Sequence, residues 1–567
     1  VARASDLPSY TLLDRDGLRW RVFAAGPAAA YLEAEAAPSP GLTRRLAAQR
    51  AGLWRTRPRS VHDLVPAYCS LLAEFRAGAA VAELVDWLRT AVDAPDDPLA
   101  LGAGAPEAAA GDAGATRAHH RIRVAYGAHA DREALERASG RSFDALVAEH
   151  AAASYTVAFI GFTPGFPYLL GLPPGLALPR RERPAARIPA GAVAIAGAQA
   201  GIYPSASPGG WWVLGITDAR LFDVRRDPTA LLASGDTVRF VPTPPEALER
   251  LPPLPASAPP APLAPEDAVL RIDDIWPGAA TLQAGPRAAV GHLGMAQAGA
   301  LDQGAFQAAQ EIVGASRHSA ALELVVPHLT LDVLHPTTLV VTGGGADLRI
   351  DGHPAATWRA HTLRAGARIQ LRPASGRAGG ANAGGASIGG ATTYLAVAGG
   401  VRWPWHDAAH PDLHAVQSTD LRAGLGRALR RGDALAVAGP PAAARAWVGR
   451  PRYAERAYLR VHPGPQHDAE ALDALMASRW RLATRDRTGA RLDGPPLALG
   501  RHEVVSQGVP LGAVQVPADG RPLVLLADRG RTGGYAVPAV VDPRDLWQLA
   551  QAGSGSEVWF LPPDWRR

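Results

Sequence analysis

The segment from Ile188 to Trp212 reads IPAGAVAIAGAQAGIYPSASPGGWW. Its small side chains let backbone approach a ligand closely, and Gln199, Tyr203, Ser205 and Ser207 are the polar groups among them. Arg180, Arg181, Arg183 and Arg187 come just before. Such a cradle suits an anionic small molecule, because Arg grips carboxylates and phosphates through paired hydrogen bonds. The same small residues also suit dense packing in a barrel. A second stretch of this character, Val504 to Val541, holds Ser506, Gln515, Asp528, Arg531, Thr532 and a Gly-Gly pair. Arg, hydroxyl and Gly backbone together can hold a phosphate or carboxylate, and a salt-bridged turn is equally compatible. Asp302 in ALDQGAF and Glu323 in ALELVVP lie beside apolar runs, where a carboxylate can do acid/base work or accept from an amide N–H. Asp302 also reads as the cap of a following helix. GFTPGFPYL, Gly161 to Leu169, carries two prolines in nine residues, which forbids regular structure, and its glycines permit positive φ. It reads either as a tight loop packing Phe162, Phe166 and Tyr168 into a core or as the rigid wall of a pocket.

Several chemistries are excluded by what is missing. All 58 basic residues are Arg, so there is no P-loop Lys, Schiff-base Lys or biotinyl-lysine. Any biotin must sit on another chain, and any phosphate must be met by Arg. Cys69 is the single Cys, which rules out an internal disulfide and a Cys-based metal cluster, and its apolar neighbours Leu71 and Leu72 read as a core setting. The 17 His show no metal-ligand spacing, so no metal site is expected. Net charge is only +5 and the Arg alternate with acids, so no nucleic-acid partner is expected. No apolar run approaches a membrane span and no signal-peptide layout opens the sequence, which reads as a soluble, cytoplasmic protein.

The elements that must position these residues follow from composition and period. With 567 residues, about four domains are expected at roughly 150 residues each. Gly 60 and Pro 51 favour turns and many short strands. Leu99 to Thr116 reads as a linker and the Pro-rich run Pro242 to Pro265 as a stiff spacer, while Gly-rich Ala374 to Ala391 reads as a loop within a domain. Trp20 to Phe23 alternates like a strand, and Val81, Leu84, Val85, Leu88 and Val92 have helical spacing. Helices are expected at 132–139, 142–153, 304–313 and 469–478. Short strands are expected at 193–195, 212–216, 221–224 and 238–241, then at 338–342, 348–350, 368–371 and 393–397. Gly235-Asp236 and Gly432-Asp433, each followed by an apolar run, suggest related barrels ending at both places.

Together these stretches resemble one family. GFTPGFPYL, IPAGAVAIAGAQAGIYP and SPGGWW, with DLVPAYCSLL (Asp63 to Leu72), look like the B subunit of bacterial 5-oxoprolinase, also known as allophanate hydrolase subunit 1 or KipI. GALD (Gly299 to Asp302), ALE (Ala321 to Glu323), YLAVAGGV, STDLRAGLGRAL, DRTGARLDG, SQGVPLGAVQVPADGRPLVLLAD and TGGY resemble the C subunit, known as allophanate hydrolase subunit 2, KipA or biotin-dependent carboxyltransferase. The Pro-rich run falls at the junction, as in a fusion of the two. Departures from the family pattern fall at Ala198, at Ile216 where an Arg is usual, at Val416-Gln417, at Thr488 and at Gln507.

The resemblance implies a mainly β fold with an α+β N-terminal domain and cyclophilin-like β-barrel domains in both halves. The expected units are residues 1–98 and 118–243 of the B-like half, a linker at 244–267, a C-like first β-barrel domain at 268–448 and a second β domain at 449–567. It implies ATP-dependent opening of 5-oxoproline to glutamate, with ATP as co-substrate beside magnesium and a separate 5-oxoprolinase A subunit as partner. The substrate is a small carboxylate or amide; a homo-oligomer is open. On this basis His150, Asp302, Glu323 and Asp528 are the catalytic candidates. Arg187, Gln199, Tyr203, Ser207, Ser506, Gln515, Arg531 and Thr532 are the substrate-binding candidates. The alternatives are a carboxyltransferase-like component for a urea or amide substrate, with biotin on another chain, and a non-catalytic KipI–KipA-type regulator of a histidine kinase.

Overall fold

The computed structural model describes residues 11–15, 17–76, 78–93, 118–249, 266–374, 391–402, 418–440 and 456–566, with isolated positions between them. The expected linker at 99–116, most of the Pro-rich spacer and nearly all of the Gly-rich run lie outside the described residues.

The N-terminal unit is an antiparallel sheet of five strands in the order Thr11–Arg15, Leu18–Ala24, Ala29–Ala34, Ser70–Phe75, Val61–Pro66. Two helices pack on it. Val81–Asp93 follows the apolar period read from the sequence. Pro40–Thr56 was not foreseen: its Arg- and Ala-rich sequence blurs the stripe, yet Ser39 caps it by accepting from Leu42 N and a Pro opens its first turn.

The first barrel closes seven strands in the order Ala192–Ala196, Gln199–Ile202, Pro167–Leu170, Tyr155–Ile160, Thr237–Pro242, His119–Tyr126 and Trp212–Ile216. The expected strand at 221–224 is an isolated bridge from Phe222 to Ala230. The irregular part of GFTPGFPYL ends at Phe166: Pro167 opens a strand, facing Ile160, where a missing N–H costs least. A separate two-stranded flap, Ala185–Ile188 with Ser207–Gly209, lies outside the barrel sheet.

Residues 268–436 form two facing sheets instead of the expected first barrel of the C-like half. One has six strands and the other five, and Leu270, Ile272, Leu322, Leu324, Leu331, Leu339 and Leu395 fill the space between them. The five-stranded sheet is also covered on its outer face by helix Gln303–Ile312, through Phe306 and Ile312. Both of its faces are thus occupied, and it stays a layer. The closed barrel of this half lies further on. Its order is Arg456–Pro463, Glu557–Leu561, Trp480–Arg485, Gly489–Asp493, Leu523–Leu525, Ala513–Val516 and Thr532–Val541, which returns to Arg456–Pro463. Strand Glu503–Gly508 adds to Thr532–Val541 at its edge.

The two barrels share a closure. In each, the last strand runs parallel to the first: Thr237–Pro242 beside His119–Tyr126, and Glu557–Leu561 beside Arg456–Pro463. Gly432-Asp433 therefore does not mark a barrel end; it leads into Ala434–Ala436, an edge strand of the six-stranded sheet. The local turn is nonetheless alike, since Asp236 accepts from Ala233 N and Asp433 from Arg430 N. Among the described residues no helix is long and apolar enough to cross a membrane.

Candidate functional site at the barrel junction

The two glycine-rich motifs meet. Phe162 N donates to Thr532 Oγ1 at 2.9 Å, joining the GFTPGF loop to the start of the TGGY strand. The glycines are required by this approach. A Cβ on Gly161 would lie 2.2 Å from Thr532 Oγ1, and one on Gly533 2.7 Å from Gln515 Nε2. Gly534 leaves room for the Arg180 guanidinium and Ser506 Oγ, each 3.4 Å from where its Cβ would stand. Phe162 itself sits at φ 62°.

An aromatic wall lines the first-barrel side. Tyr168 stacks on Phe159 with centroids 4.4 Å apart, Tyr68 of the N-terminal unit meets Tyr168 edge-on at 5.8 Å, and Tyr203 meets Phe166 at 5.2 Å. Burial raises the Tyr168 phenol, and Arg180 with the Ser506 and Thr532 hydroxyls pulls it partly back. Burial also raises Tyr68 and Tyr203, so all three phenols stay protonated donors at neutral pH. Arg180 acts on each of them, and among the described residues no Asp or Glu does. The Tyr68 hydroxyl is buried and has no partner among the described residues.

Behind this junction lies a buried clasp. Arg531 and Arg529 both bond Glu74, and Arg531 also reaches Asp63 Oδ2 at 2.8 Å. Asp63 accepts from Gly291 N at 3.0 Å, and Gln297 Nε2 donates to Glu74 Oε2 at 3.1 Å. Burial pushes the Glu74 carboxyl up, but the two guanidiniums outweigh it and hold it down at about 2. The clasp thus ties the N-terminal unit to the second barrel directly beside Thr532.

The predicted catalytic carboxylates gather elsewhere. Arg487 bonds Asp528 through two nitrogens at 2.8 and 2.9 Å, bonds Glu323, and donates to Gly299 O at 2.7 Å. Glu323 Oε2 also accepts from Leu301 N at 2.9 Å and the Tyr394 hydroxyl at 2.8 Å. Asp302 caps helix Gln303–Ile312 through Ala305 N at 2.9 Å and accepts from Gln551 Nε2 at 2.8 Å. Burial raises the Asp302 carboxyl. Each acid is committed to fixed donors. The cluster fastens the layered sheets to the second barrel.

The sequence candidates are therefore divided. Tyr203, Ser506 and Thr532 are at the junction, with Gln515 packed beneath Gly533. Arg531 is in the clasp, fully buried. Ser207 and Arg187 are on the flap, where Arg187 is exposed and Ser207 Oγ is buried without a partner among the described residues. Gln199 is beside the tip of the 192–202 hairpin. His150 is in the first-barrel core, bonded to the Tyr126 hydroxyl at 2.7 Å and stacked on Phe240, with burial lowering its pKa to about 3. Such an imidazole is neutral and inaccessible, not placed for acid/base work at the junction. Arg180, Tyr68 and Tyr168 were missed as site residues, although Arg180 opens the arginine run and Tyr168 lies within GFTPGFPYL. A cleft of about 970 Å³ lies apart, lined by Gly344, Asp347, Arg349, Thr357 and Tyr453 among others.

Gln507, where the family pattern has Glu, exchanges side-chain bonds with Gln466 at 2.9 and 2.8 Å, an arrangement a carboxylate could only half complete.

Two family models match the chain: the carboxyltransferase domain, subdomain C and D, over residues 20–232, and subdomain A and B over residues 293–562. The 5-oxoprolinase C subunit of Escherichia coli (strain K12) is 32% identical over 292 residues, covering 50% of this chain and 87% of that protein. The 5-oxoprolinase B subunit of Escherichia coli O157:H7 is 52% identical over 103 residues, covering 18% of this chain and 47% of that protein, so the match spans about half of that relative's length. The crystal structure of TTHA0988 superposes with a TM-score of 0.79 at 34% identity, covering 94% of this chain and 99% of that one. With cyclophilin-like barrels in both halves and relatives on either side of the Pro-rich run, the chain belongs to the carboxyltransferase-domain family of the 5-oxoprolinase B and C subunits, both parts carried on one polypeptide.

Proposed function

We propose that this chain is the fused B/C component of an ATP-dependent 5-oxoprolinase-type amidohydrolase, which opens 5-oxoproline to glutamate with a separate A subunit. The observation that carries the reading is the junction itself. Arg180, Tyr168 and Tyr203 come from the B-like half and Ser506 and Thr532 from the C-like half, so neither half alone has the full donor set. A five-membered lactam is a poor electrophile. Transfer of the ATP γ-phosphoryl group to its oxygen, with ADP leaving, activates the carbon toward water; the C–N bond of the resulting adduct then breaks with a proton to nitrogen, and a second water hydrolyses the acyl phosphate to glutamate and phosphate. The protein's task is then to hold the lactam and present fixed donors where negative charge develops. Buried, protonated phenols and hydroxyls beside the Arg180 guanidinium fit that task.

ATP fits the same donor chemistry. The chain has no Lys, so phosphate oxygens must be met by guanidinium and hydroxyl groups, and the junction holds both.

The test is phosphate release from ATP with 5-oxoproline, for the chain by itself and with its A subunit, alongside glutamate formation. Substrate-dependent release with glutamate supports the reading, and its absence from a folded complex removes it. The description of both family models supports a second reading, carboxyl transfer to a urea or amide from biotin on another chain. Biotin-carrier-dependent carboxylation without phosphate release would favour it.

A further inference from the structure

Four arginines lie between residues 180 and 187, and their settings differ. Arg181 is spent on the fold: its Nη1 meets Asp131 Oδ1 at 2.7 Å and its guanidinium lies over Trp212. Arg183 and Arg187 are exposed. Arg180 is half-buried, turns to the junction, and has no carboxylate partner among the described residues. Its guanidinium and Ser506 Oγ both approach Gly534, Tyr68 and Tyr168 meet edge-on with centroids 5.8 Å apart, and the Arg180 charge is felt by the Tyr68, Tyr168 and Tyr203 phenols, all able to donate. The Tyr68 hydroxyl is a second, independent observation, a buried donor with no partner among the described residues.

We propose that Arg180, with the Tyr68, Tyr168 and Tyr203 hydroxyls, forms an oxyanion-binding subsite that anchors the carboxylate of the small amide substrate. A guanidinium fork matches two oxygens at once, and phenols held protonated by burial donate to whatever oxygens remain. Arg180, with no carboxylate partner among the described residues, brings a positive charge that the fold does not neutralise, which favours anions over neutral lactams. This deepens the function proposed above and rests on it only for the identity of the ligand. A phosphate presents the same chemistry, so the two sources are separated by experiment.

The experiment is calorimetric titration of the full chain with 5-oxoproline, with 2-pyrrolidinone (the same lactam without its carboxylate) and with inorganic phosphate. Wild type is expected to bind 5-oxoproline and to bind 2-pyrrolidinone at least about 10-fold more weakly. Arg180→Gln should weaken 5-oxoproline roughly 10–100-fold, Arg180→Lys less, and Tyr68→Phe up to about 10-fold, while Arg183→Gln changes nothing. Because Arg180 holds no ion pair among the described residues, Arg180→Gln should melt with wild type, which separates lost binding from lost structure. If phosphate binds in an Arg180-dependent way and 5-oxoproline does not bind, the subsite is a phosphate site and the carboxylate assignment falls, while the function proposed above is decided separately by phosphate release and glutamate formation in the complex with the A subunit. If Arg180→Gln binds every oxyanion as wild type does, or wild type binds none, the subsite is overturned.

Discussion

The junction and the Glu323–Arg487–Asp528 cluster are both polar and largely buried, yet they are built in opposite ways. In the cluster, acid meets base: Arg487 satisfies Glu323 and Asp528, and Tyr394 and Leu301 N take up the remaining capacity of Glu323. In the junction, donors face one another with no acid to receive them, and one phenol is left without a partner among the described residues. A network that closes on itself is architecture, because every desolvated charge is already compensated. A network that holds an unmatched guanidinium and a donor without a partner is where a ligand can complete the count.

The largest effect is expected from opening the closed cluster. Arg487→Met would strand Glu323 as a buried acid without its guanidinium and leave the part-exposed Asp528 unpaired, and should cost about 3–5 kcal/mol, read as a large fall in the denaturation midpoint. Next comes the contact that joins the barrels. Gly161→Ala would drive a methyl group into Thr532 Oγ1 and the Phe159 ring, and overpacking of this kind costs about 1–3 kcal/mol. It should also disturb ligand binding, whereas Arg487→Met should leave the affinity of the folded fraction within about threefold.

The clasp adds a pH test. Glu74 has its folded pKa depressed to about 2, below an ordinary value of 4.5, so its stabilisation is present above the ordinary value and is lost as pH falls toward 2. Acid melts should therefore steepen below about pH 4.5 in wild type and flatten in Glu74→Gln. His150 points the same way from a different cause. Its folded pKa of about 3 lies below 6.5, so the unfolded chain binds the extra proton between those values and stability rises with pH across that window. His150→Phe should blunt that rise without removing a limb from the activity profile. The smallest stability change belongs to Tyr68→Phe, which deletes a hydroxyl that bonds nothing described and should leave the melting point unchanged to within about 0.5 kcal/mol.

How far these features were legible depends on whether they are local. GFTPGF and TGGY stood out because close backbone approach demands glycine, a demand written in the residues themselves. So did the helix cap at Asp302. What composition could not separate was one arginine from another. Arg180 and Arg187 read alike, and only the pairing of Arg181 with Asp131 and the placement of the flap show which guanidinium turns inward. Likewise Glu323 and Asp528 looked available because their partner, Arg487, is remote in sequence. The layered sheets at 268–436 share short, Gly-punctuated strands with a barrel. Closure depends on which edge strands pair, and no local signal carries that.

The most direct measurement is 5-oxoproline-dependent phosphate release in the complex with the A subunit, comparing Arg180→Gln and Asp528→Asn with wild type. Arg180→Gln is expected to lose kcat/KM by at least about 10-fold at an unchanged melting point, while Asp528→Asn melts earlier and keeps kcat/KM within about threefold. The reverse pattern, with Asp528 essential to turnover and Arg180 dispensable, would place the chemistry in the closed cluster and contradict the assignment of the open junction as the site.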